Sequence, residues 1–385
     1  MKKVLALLLV ALLVFGLVAC TGQTQAPPAT PAPATPAAPA ATPTPDAPGE
    51  FTADDIQIAL VAHSPESILD DGSFNEGAWQ GIQRFLNTHG LSADHARFFQ
   101  PHSADDVARV DLVADAIAAG ANIVVLPGFH FIASAAEMQA MFPEVKFVLL
   151  DATPAGGPAD NLAAIHYAEE QAGFLAGYAA VMEGYRSLGF MGGHAVPAVV
   201  RFGHGFLQGA EHAAESLGLA AGVVTVNYLY VGGFAPSPEV ATTASAWFAG
   251  GTEVIFAAAG GAGFSVISGA EASGGSVIGV DVDQSGASEV VITSAMKALD
   301  VSVYDMLTDF LNGAFRGGVE LMFDASVDGI GLPMATSRFQ HFTQAQYDAI
   351  FALLADGTIV VDNTVTTTVS EANLDLTLIT VVELN

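Results

Sequence analysis

The chain predicts an α/β protein of two similar lobes, each built on a parallel sheet, and three observations carry that prediction. Short, unbroken apolar runs alternate with helix-like segments from Ile56 to about Met322. Continuous apolar strands of this kind belong to parallel sheets covered by helices on both faces. The alternation runs as far as Tyr167 and then restarts at Glu169, which implies a second copy of the same architecture. Residues foreign to a strand or helix cluster just past the apolar runs, where open α/β sheets bind their ligands.

The first fifty residues are expected to lie outside that fold. Lys2 and Lys3 precede an apolar run from Val4 to Phe15, and Leu17-Val-Ala-Cys20 follows. A charged start, a short apolar core and small residues before a break describe a secretory signal peptide over residues 1–20. Its ending resembles the lipobox of bacterial lipoproteins. Cys20 is the only cysteine of the chain and has no partner for an internal disulfide, which fits a lipid-bearing N-terminus. A lipid anchor attaches a protein to a membrane without spanning it. Residues 21–50 hold nine of the nineteen prolines among Ala and Thr, with no bulky hydrophobe, and read as an extended spacer.

From Phe51 onward the elements follow in order. Ile56 to Ala62 reads as a strand, Glu76 to Thr88 and Asp105 to Ala119 as helices, and Asn122 to Leu126 and Val145 to Leu150 as strands. After Ile165-His-Tyr167 come a helix over Glu169 to Glu183, a strand at Leu188 to Met191, a helix over Pro197 to Leu217 and a strand over Val223 to Tyr230. Ser237 to Ala249 and Gly263 to Ser273 then read as helices, and Glu253 to Phe256 and Val277 to Val280 as strands. The later strands Val290 to Ile292 and Glu320 to Met322 imply more than one crossing between lobes.

Charge excludes one class of partner. Of 40 acidic residues only Asp46 and Glu50 precede Phe51, and of 11 basic ones only Lys2 and Lys3 do, so the body carries the entire net charge of −29. Nucleic acid phosphates would be repelled. Only two lysines remain in the body, Lys146 and Lys297.

Four strand ends hold the unusual residues. Leu69-Asp-Asp-Gly-Ser-Phe-Asn-Glu-Gly-Ala-Trp79 follows the first strand. Within it Gly72 and Ser73 make a turn, Asp71 orients the turn or caps the next helix, and Phe74 and Asn75 are candidates to present a ring and an amide to a ligand. Pro127-Gly-Phe129-His-Phe131 follows the strand ending at Leu126, and the glycine run Gly260-Gly-Ala-Gly263 follows the strand ending at Phe256. Asp281, at the tip of Val277 to Val280, is placed to accept hydrogen bonds from ligand hydroxyls. Lys297 stands either as a solvated surface charge or as a cleft donor beside Asp281. Phe74, Phe129, Phe131, Phe202 and Phe206 read as core, with the alternative that two rings from opposite lobes close on a flat heterocycle.

Several chemistries lack their motifs. The glycine run has neither the Gly-x-Gly-x-x-Gly spacing nor a Gly-Lys-Ser/Thr. The segment Asp281-Val-Asp283-Gln-Ser-Gly286 starts like a calcium loop but places Ile292 where the bidentate glutamate is required. The ten histidines form no His-Glu-x-x-His, and there is no Gly-x-Ser-x-Gly elbow. The expectation is a protein that binds and is not an enzyme, with no metal and no cofactor. Individually, His130, His194 and His204 read as ordinary polar residues.

Taken together, Asp-Asp-Gly-Ser-Phe-Asn-Glu-Gly-Ala-Trp79, Gly173-Phe-Leu-Ala-Gly-Tyr178, Gly189-Phe-Met-Gly-Gly193, Arg201-Phe-Gly-His-Gly-Phe206, Ile255-Phe-Ala-Ala-Ala-Gly-Gly-Ala-Gly263, Ile278-Gly-Val-Asp-Val-Asp-Gln284 and Thr293-Ser-Ala-Met-Lys297 resemble the basic membrane protein family. These are substrate-binding lipoproteins of ABC transporters, and the family includes purine-nucleoside receptors. The resemblance implies a type I periplasmic-binding-protein fold, two Rossmann-like lobes with parallel sheets and a three-crossover hinge. Residues 51–168 with 281–318 would form one lobe, and 169–280 with 319–385 the other.

It also implies a site. A purine would stack between Phe74 and Phe206, Asn75 would bond the base, and Asp281 and Lys297 would take the ribose hydroxyls, helped by backbone near Gly260. Asp71 and Phe129 complete the expected ligand-binding set. Nucleoside receptors of the family carry an aspartate where this chain has His63 and another where it has Ala133, so the resemblance implies retained ribose recognition and altered base recognition. The implied partners are a nucleoside-like ligand, an ABC permease with its ATPase, and a membrane reached through the Cys20 lipid on the extracytoplasmic face. Two other readings use the same cleft: a sensor or adhesion lipoprotein, and a nucleoside hydrolase with Asp71, Asp281 or Asp283 as base.

Overall fold

The computed structural model describes residues 51–366 and 368–384. The expected signal peptide, Cys20 and the spacer lie outside the described residues.

The first half of the body alternates strand and helix as its hydrophobic pattern requires. It comprises β1 (Ile58–Val61), α1 (Phe74–His89), β2 (Ala96–Phe99), α2 (Asp106–Ala118), β3 (Ile123–Pro127), α3 (Ile132–Met141), β4 (Lys146–Leu150) and β5 (Leu162–Tyr167). The second half continues with α4 (Glu169–Glu183), β6 (Ser187–Gly192), α5 (Pro197–Ser216), β7 (Val224–Tyr230), α6 (Pro238–Ala249), β8 (Val254–Ala258), α7 (Ala262–Ser273), β9 (Ser276–Asp281) and β10 (Val291–Lys297). The remainder holds α8 (Leu299–Leu311), β11 (Val319–Phe323), β12 (Ile330–Gly331), α9 (Gln344–Ala355) and β13 (Ile379–Glu383).

Two sheets result. The first has strand order β11-β5-β4-β3-β1-β2, parallel throughout. The second has order β12-β10-β9-β8-β6-β7-β13, parallel except for the short β12. The α/β class, the parallel sheets and the doubling of the architecture follow the sequence reading.

The segment boundaries differ from those expected. β10 lies in the second sheet beside β9, and β11 lies in the first sheet beside β5. The chain therefore changes lobe after Tyr167, after Lys297 and after Phe323, and the segment 281–297 belongs with the second lobe. The reason lies in β10, where Thr293 and Ser294 disguise a buried strand. Both are fully buried, Thr293 sharing a hydrogen bond with Ser337 and Ser294 accepting one from the Gln284 backbone. Satisfied polar groups of this kind sit in a sheet at little cost. Lys297 accordingly ends a strand, and the following helix begins at Leu299.

The second lobe is held to the hinge by an unusually close helix pair. Gly173 and Gly177 on α4 and Gly205 and Gly209 on α5 each lie one turn apart. A Cβ on any of the four would overlap a backbone carbonyl oxygen of the facing helix: those of Phe202, Phe206, Glu170 and Phe174 respectively. Glycine here removes the side-chain layer that normally keeps helices 8–10 Å apart. The C-terminal segment is tied down by carboxylates that accept backbone N–H groups, Glu183 from Gln340, His341 and Phe342, and Glu211 from Thr377, Leu378 and Ile379.

Gly177→Ala forces α4 and α5 apart and lowers the melting temperature, with a loss of about 1–3 kcal/mol as expected for an overpacked interior. Thermal denaturation followed by circular dichroism measures this, and an unchanged transition would show that the helices separate without penalty.

Candidate functional site

The carboxyl ends of both sheets face a cleft of about 640 Å³. Strand order decides what stands where, because neighbouring strand ends lie about 4.8 Å apart. Along the first lobe, from β5 through β4 and β3 to β1, the ends carry Tyr167, Asp151, the Gly128–His130 turn and His63. Along the second, from β10 through β9 and β8 to β6, they carry Lys297, Asp281, the Gly260 loop and His194. Beyond Tyr167, each row passes from charge through glycine to imidazole. The rows run the same way, since Lys297 meets Asp151, and His130 and His194 line the same cleft.

At the charged end, Lys297 is the hub. Its Nζ lies 2.5 Å from Asp151 Oδ2, 3.5 Å from Glu169 Oε1 and 3.5 Å from Asp281 Oδ1. It also stands 4.7 Å from the ring centroid of Phe74, 5.3 Å from Phe202 and 5.5 Å from Tyr167. Arg201, from α5, binds Glu169 Oε2 through Nε at 2.7 Å and approaches Glu170 at 4.0 Å. Burial lowers the tendency of Lys297 to hold its proton, but Asp151, Asp281 and Glu169 outweigh it and hold its pKa above the ordinary value.

Four carboxyls, Asp151, Glu169, Asp281 and Glu170, stand around two cations, an excess of two. Asp151 Oδ1 and Glu169 Oε1 are both buried without a hydrogen-bond partner. Burial, with Glu169 and Asp281 close by, raises the Asp151 carboxyl to about 7 against the pull of Lys297. Burial also opposes ionisation of Glu169, but Lys297 and Arg201 bring it below the usual carboxylate range. A proton on Asp151, donated to Glu169, satisfies both orphaned oxygens and removes one of the two excess charges. Asp151 and Asp281 both have positive φ, 57° and 68°, a strained backbone for residues with a Cβ.

The turn before α1 crosses the cleft. Asp71 accepts from the backbone N–H groups of Ser73, Asn75 and Glu76, ordering the turn and capping α1. Burial raises its carboxyl to about 6 despite those three bonds. Freed from capping, the Ser73 hydroxyl donates to Asp281 Oδ2 at 2.6 Å, and Gln284 Nε2 donates to the Gly72 carbonyl at 2.8 Å. Gly72, at φ 62°, packs against the Phe264 ring so closely that a Cβ would overlap it. Only glycine meets both demands.

The far end is aromatic. The His63 and His130 rings stack at 4.0 Å with an interplanar angle of 1°, and Phe129 tilts over His130 at 3.9 Å. Burial and the Arg109 charge lower His63 to about 4. Burial, His63 and Arg109 lower His130 equally.

Of the site residues expected from sequence, the structure brings Asp71, Phe74, Asn75, Phe129, Gly260, Asp281 and Lys297 to the cleft wall. Asn75 is partly committed there, its side-chain N–H donating to the Ile68 carbonyl. Phe206 departs from the expectation. It is fully buried, packed against Phe256 at 5.4 Å and Phe190 at 6.5 Å, and does not line the cleft. Phe202, one turn earlier on the same helix face, lines it instead, with Phe234 and Phe264. α5 points its first turns at the cleft, and each further turn carries its side chains deeper behind the sheet. Asp283 lies off the cleft wall, bonded to Thr336 and the Ser285 backbone.

Asp151 and His130 also line the cleft without being among the residues expected there, and His63 enters the expectation only where it replaces a family aspartate. The signal for Asp151 was present: it follows an apolar strand as Asp281 does. Among the described residues no group of three or more His, Cys, Asp or Glu is arranged to hold a metal ion.

The model of one family, described as PnrA-like ABC transporter substrate-binding protein, matches residues 58–355. The chain is 27% identical over 308 residues to the ABC transporter nucleoside-binding protein BmpA of Lactococcus lactis, covering 74% of this chain and 84% of that one. It is 25% identical over 325 residues to the CD4+ T-cell-stimulating antigen of Listeria monocytogenes, covering 80% and 88%. Among solved structures, an ABC transporter solute-binding protein from Conexibacter woesei superposes with a TM-score of 0.65 at 24% identity, covering 80% of this chain and 99% of that one. One from Aeropyrum pernix gives 0.63 at 23% identity, covering 80% and 88%.

Asp151→Asn removes a carboxyl whose pKa folding raises. The wild-type group stabilises the fold most below the ordinary carboxylate range, and that contribution is lost as pH rises through about 7. The melting temperature of Asp151→Asn minus that of the wild type therefore increases from pH 5 to pH 8. A difference independent of pH would show that Asp151 is ionised throughout.

Proposed function

Because the chain belongs to the PnrA-like family of ABC transporter substrate-binding proteins, we propose that it is a lipid-anchored, extracytoplasmic receptor that binds an unphosphorylated purine nucleoside and presents it to an ABC permease. It captures its ligand without chemical change. The observation that carries this reading is the composition of the cleft, with phenylalanine rings on both walls and, at one end, an acid and an ammonium group within 3.5 Å of each other. Rings reward a flat heterocycle, and a carboxylate beside an ammonium suits the paired acceptors and donors of sugar hydroxyls.

Charge narrows the class further. Glu66, Asp70, Asp71, Asp151 and Asp281 line the cleft against Lys297 alone, and a phosphate in that field is disfavoured. The volume, about 640 Å³, lies within the range of small-molecule sites. The Lactococcus lactis relative carries a nucleoside-binding name. Membrane attachment through Cys20 belongs to the same proposal, and among the described residues no helix is long and apolar enough to cross a membrane. The Ser73–Asp281 and Gln284–Gly72 bonds join the lobes across the cleft mouth. A ligand held between those lobes favours the closed form, which is the population shift that delivery requires.

Inosine, adenosine and guanosine raise the melting temperature in a thermal-shift panel, while their 5′-monophosphates and unrelated metabolites do not. Phe74→Ala, which removes a ring from the cleft and not from the core, weakens nucleoside binding roughly ten- to a hundredfold and lowers the unliganded melting temperature by only a few degrees. Equal damage to both, or a panel in which no nucleoside acts, would overturn the proposal.

A further inference from the structure

The two rows of strand ends give the cleft a direction, and one end of it has no role in the reading above. β1 and β3 are neighbours, so His63 and His130 emerge side by side. β4 is next to β3, so Asp151 stands about two strand spacings, roughly 10 Å, from His63. That is the reach of a heterocycle joined to a sugar. With the sugar held at Lys297, the flat ring lies over Phe74, whose edge also meets the Gly128 turn. The edge of the ring remote from the sugar then faces the imidazoles.

The imidazoles are built in place. His63 is held through its backbone carbonyl by Arg109 Nε at 2.9 Å, and the Ser67 hydroxyl, 3.1 Å from Nδ1 and 3.3 Å from Nε2, engages one ring nitrogen and leaves the other for a ligand. Arg109 is itself held by Asp106 and by the Ala104 carbonyl. His130 is fixed by stacking between His63 and Phe129, and among the described residues none hydrogen-bonds its ring nitrogens. Stacking leaves a ring's edge free, so those nitrogens are open to a ligand. His194 closes this end from the opposite lobe, its ring edge-on to Phe234 at 5.3 Å.

We infer that His63 and His130 are the specificity-determining residues for the ligand's heterocycle, reading its edge remote from the sugar as neutral imidazoles. The inference rests on the nucleoside reading and deepens it. A carboxylate accepts only, and would select edges made of donors. A neutral imidazole offers one donor and one acceptor and exchanges them by tautomerisation. The two stacked rings, each presenting one nitrogen, fit a donor beside an acceptor in either order: the carbonyl and ring N–H of hypoxanthine, or the amino group and ring nitrogen of adenine. The class of ligand is therefore an uncharged oxo- or aminoheterocyclic nucleoside, with oxo and amino forms bound within about tenfold of each other.

Titration calorimetry on the purified protein tests this with inosine, adenosine, guanosine and 1-methylinosine, whose edge N–H is blocked. The wild type binds inosine and adenosine comparably and 1-methylinosine roughly ten- to a hundredfold more weakly, the cost of an unmatched polar edge. His130→Phe keeps the stack and removes the nitrogens. It brings inosine and adenosine down to the level of 1-methylinosine, which is itself unaffected. His130→Asp shifts preference to guanosine, whose edge carries adjacent donors. If the wild type binds 1-methylinosine as well as inosine, or if His130→Phe and His63→Phe bind every nucleoside as the wild type does, this inference falls while the receptor reading stands. If the wild type binds no nucleoside, both fall. The 1-methylinosine comparison needs no variant and decides the matter even if the substituted proteins fail to fold.

Discussion

One ammonium group organises this protein. Lys297 ends β10 of the second sheet, where the chain is about to cross to the first lobe. It gathers Asp151 from one lobe with Glu169 and Asp281 from the other. Three carboxylates this close are tolerated only around a cation, and removing that cation leaves buried charge uncompensated at roughly 3–5 kcal/mol. Among the three crossings, two are within a residue or two of this cluster, at Tyr167–Glu169 and at Lys297–Leu299. The electrostatic hub and the hinge are thus the same place.

Much of the surrounding architecture serves that hub. Glu169 starts α4 and Arg201 lies in the first turns of α5, and they meet at 2.7 Å because four glycines let the two helices close on each other. The strained backbones of Asp151 and Asp281 aim both carboxylates inward. Ser73 reaches Asp281 because Asp71 has taken over capping of α1. Helix packing, backbone strain and capping therefore converge on one geometry. Its consequence is a cleft with a cluster of buried charges at one end, phenylalanine rings along its walls and stacked imidazoles at the other.

Strand-end residues were the most legible part of the site. Phe74, Asn75, Gly260 and Asp281 could be picked out because a turn residue, a lone ring or a carboxylate directly after an apolar run has few structural uses there. Lys297 was legible through rarity, as one of two lysines in an acidic body. The Phe202–Phe206 pair was not. Both lie on one helix face a turn apart, periodicity treats them alike, and their fates depend on how deep each turn of α5 sits behind the sheet. The lobe assignment of β10 was obscured by Thr293 and Ser294, whose burial rests on hydrogen bonds to residues up to 44 positions away.

The sequence by itself determined the α/β class, the doubling of the fold and the set of strand ends that furnish the cleft, because hydrophobic period and turn chemistry are local properties. Only the tertiary structure decided which of those ends stand together. Asp151 and Lys297 are 146 positions apart and His63 and His130 are 67 apart, and no local pattern links them. Their pairing comes from strand order within each sheet and from the register in which the two sheets face each other, which are fixed by the packing of the whole body.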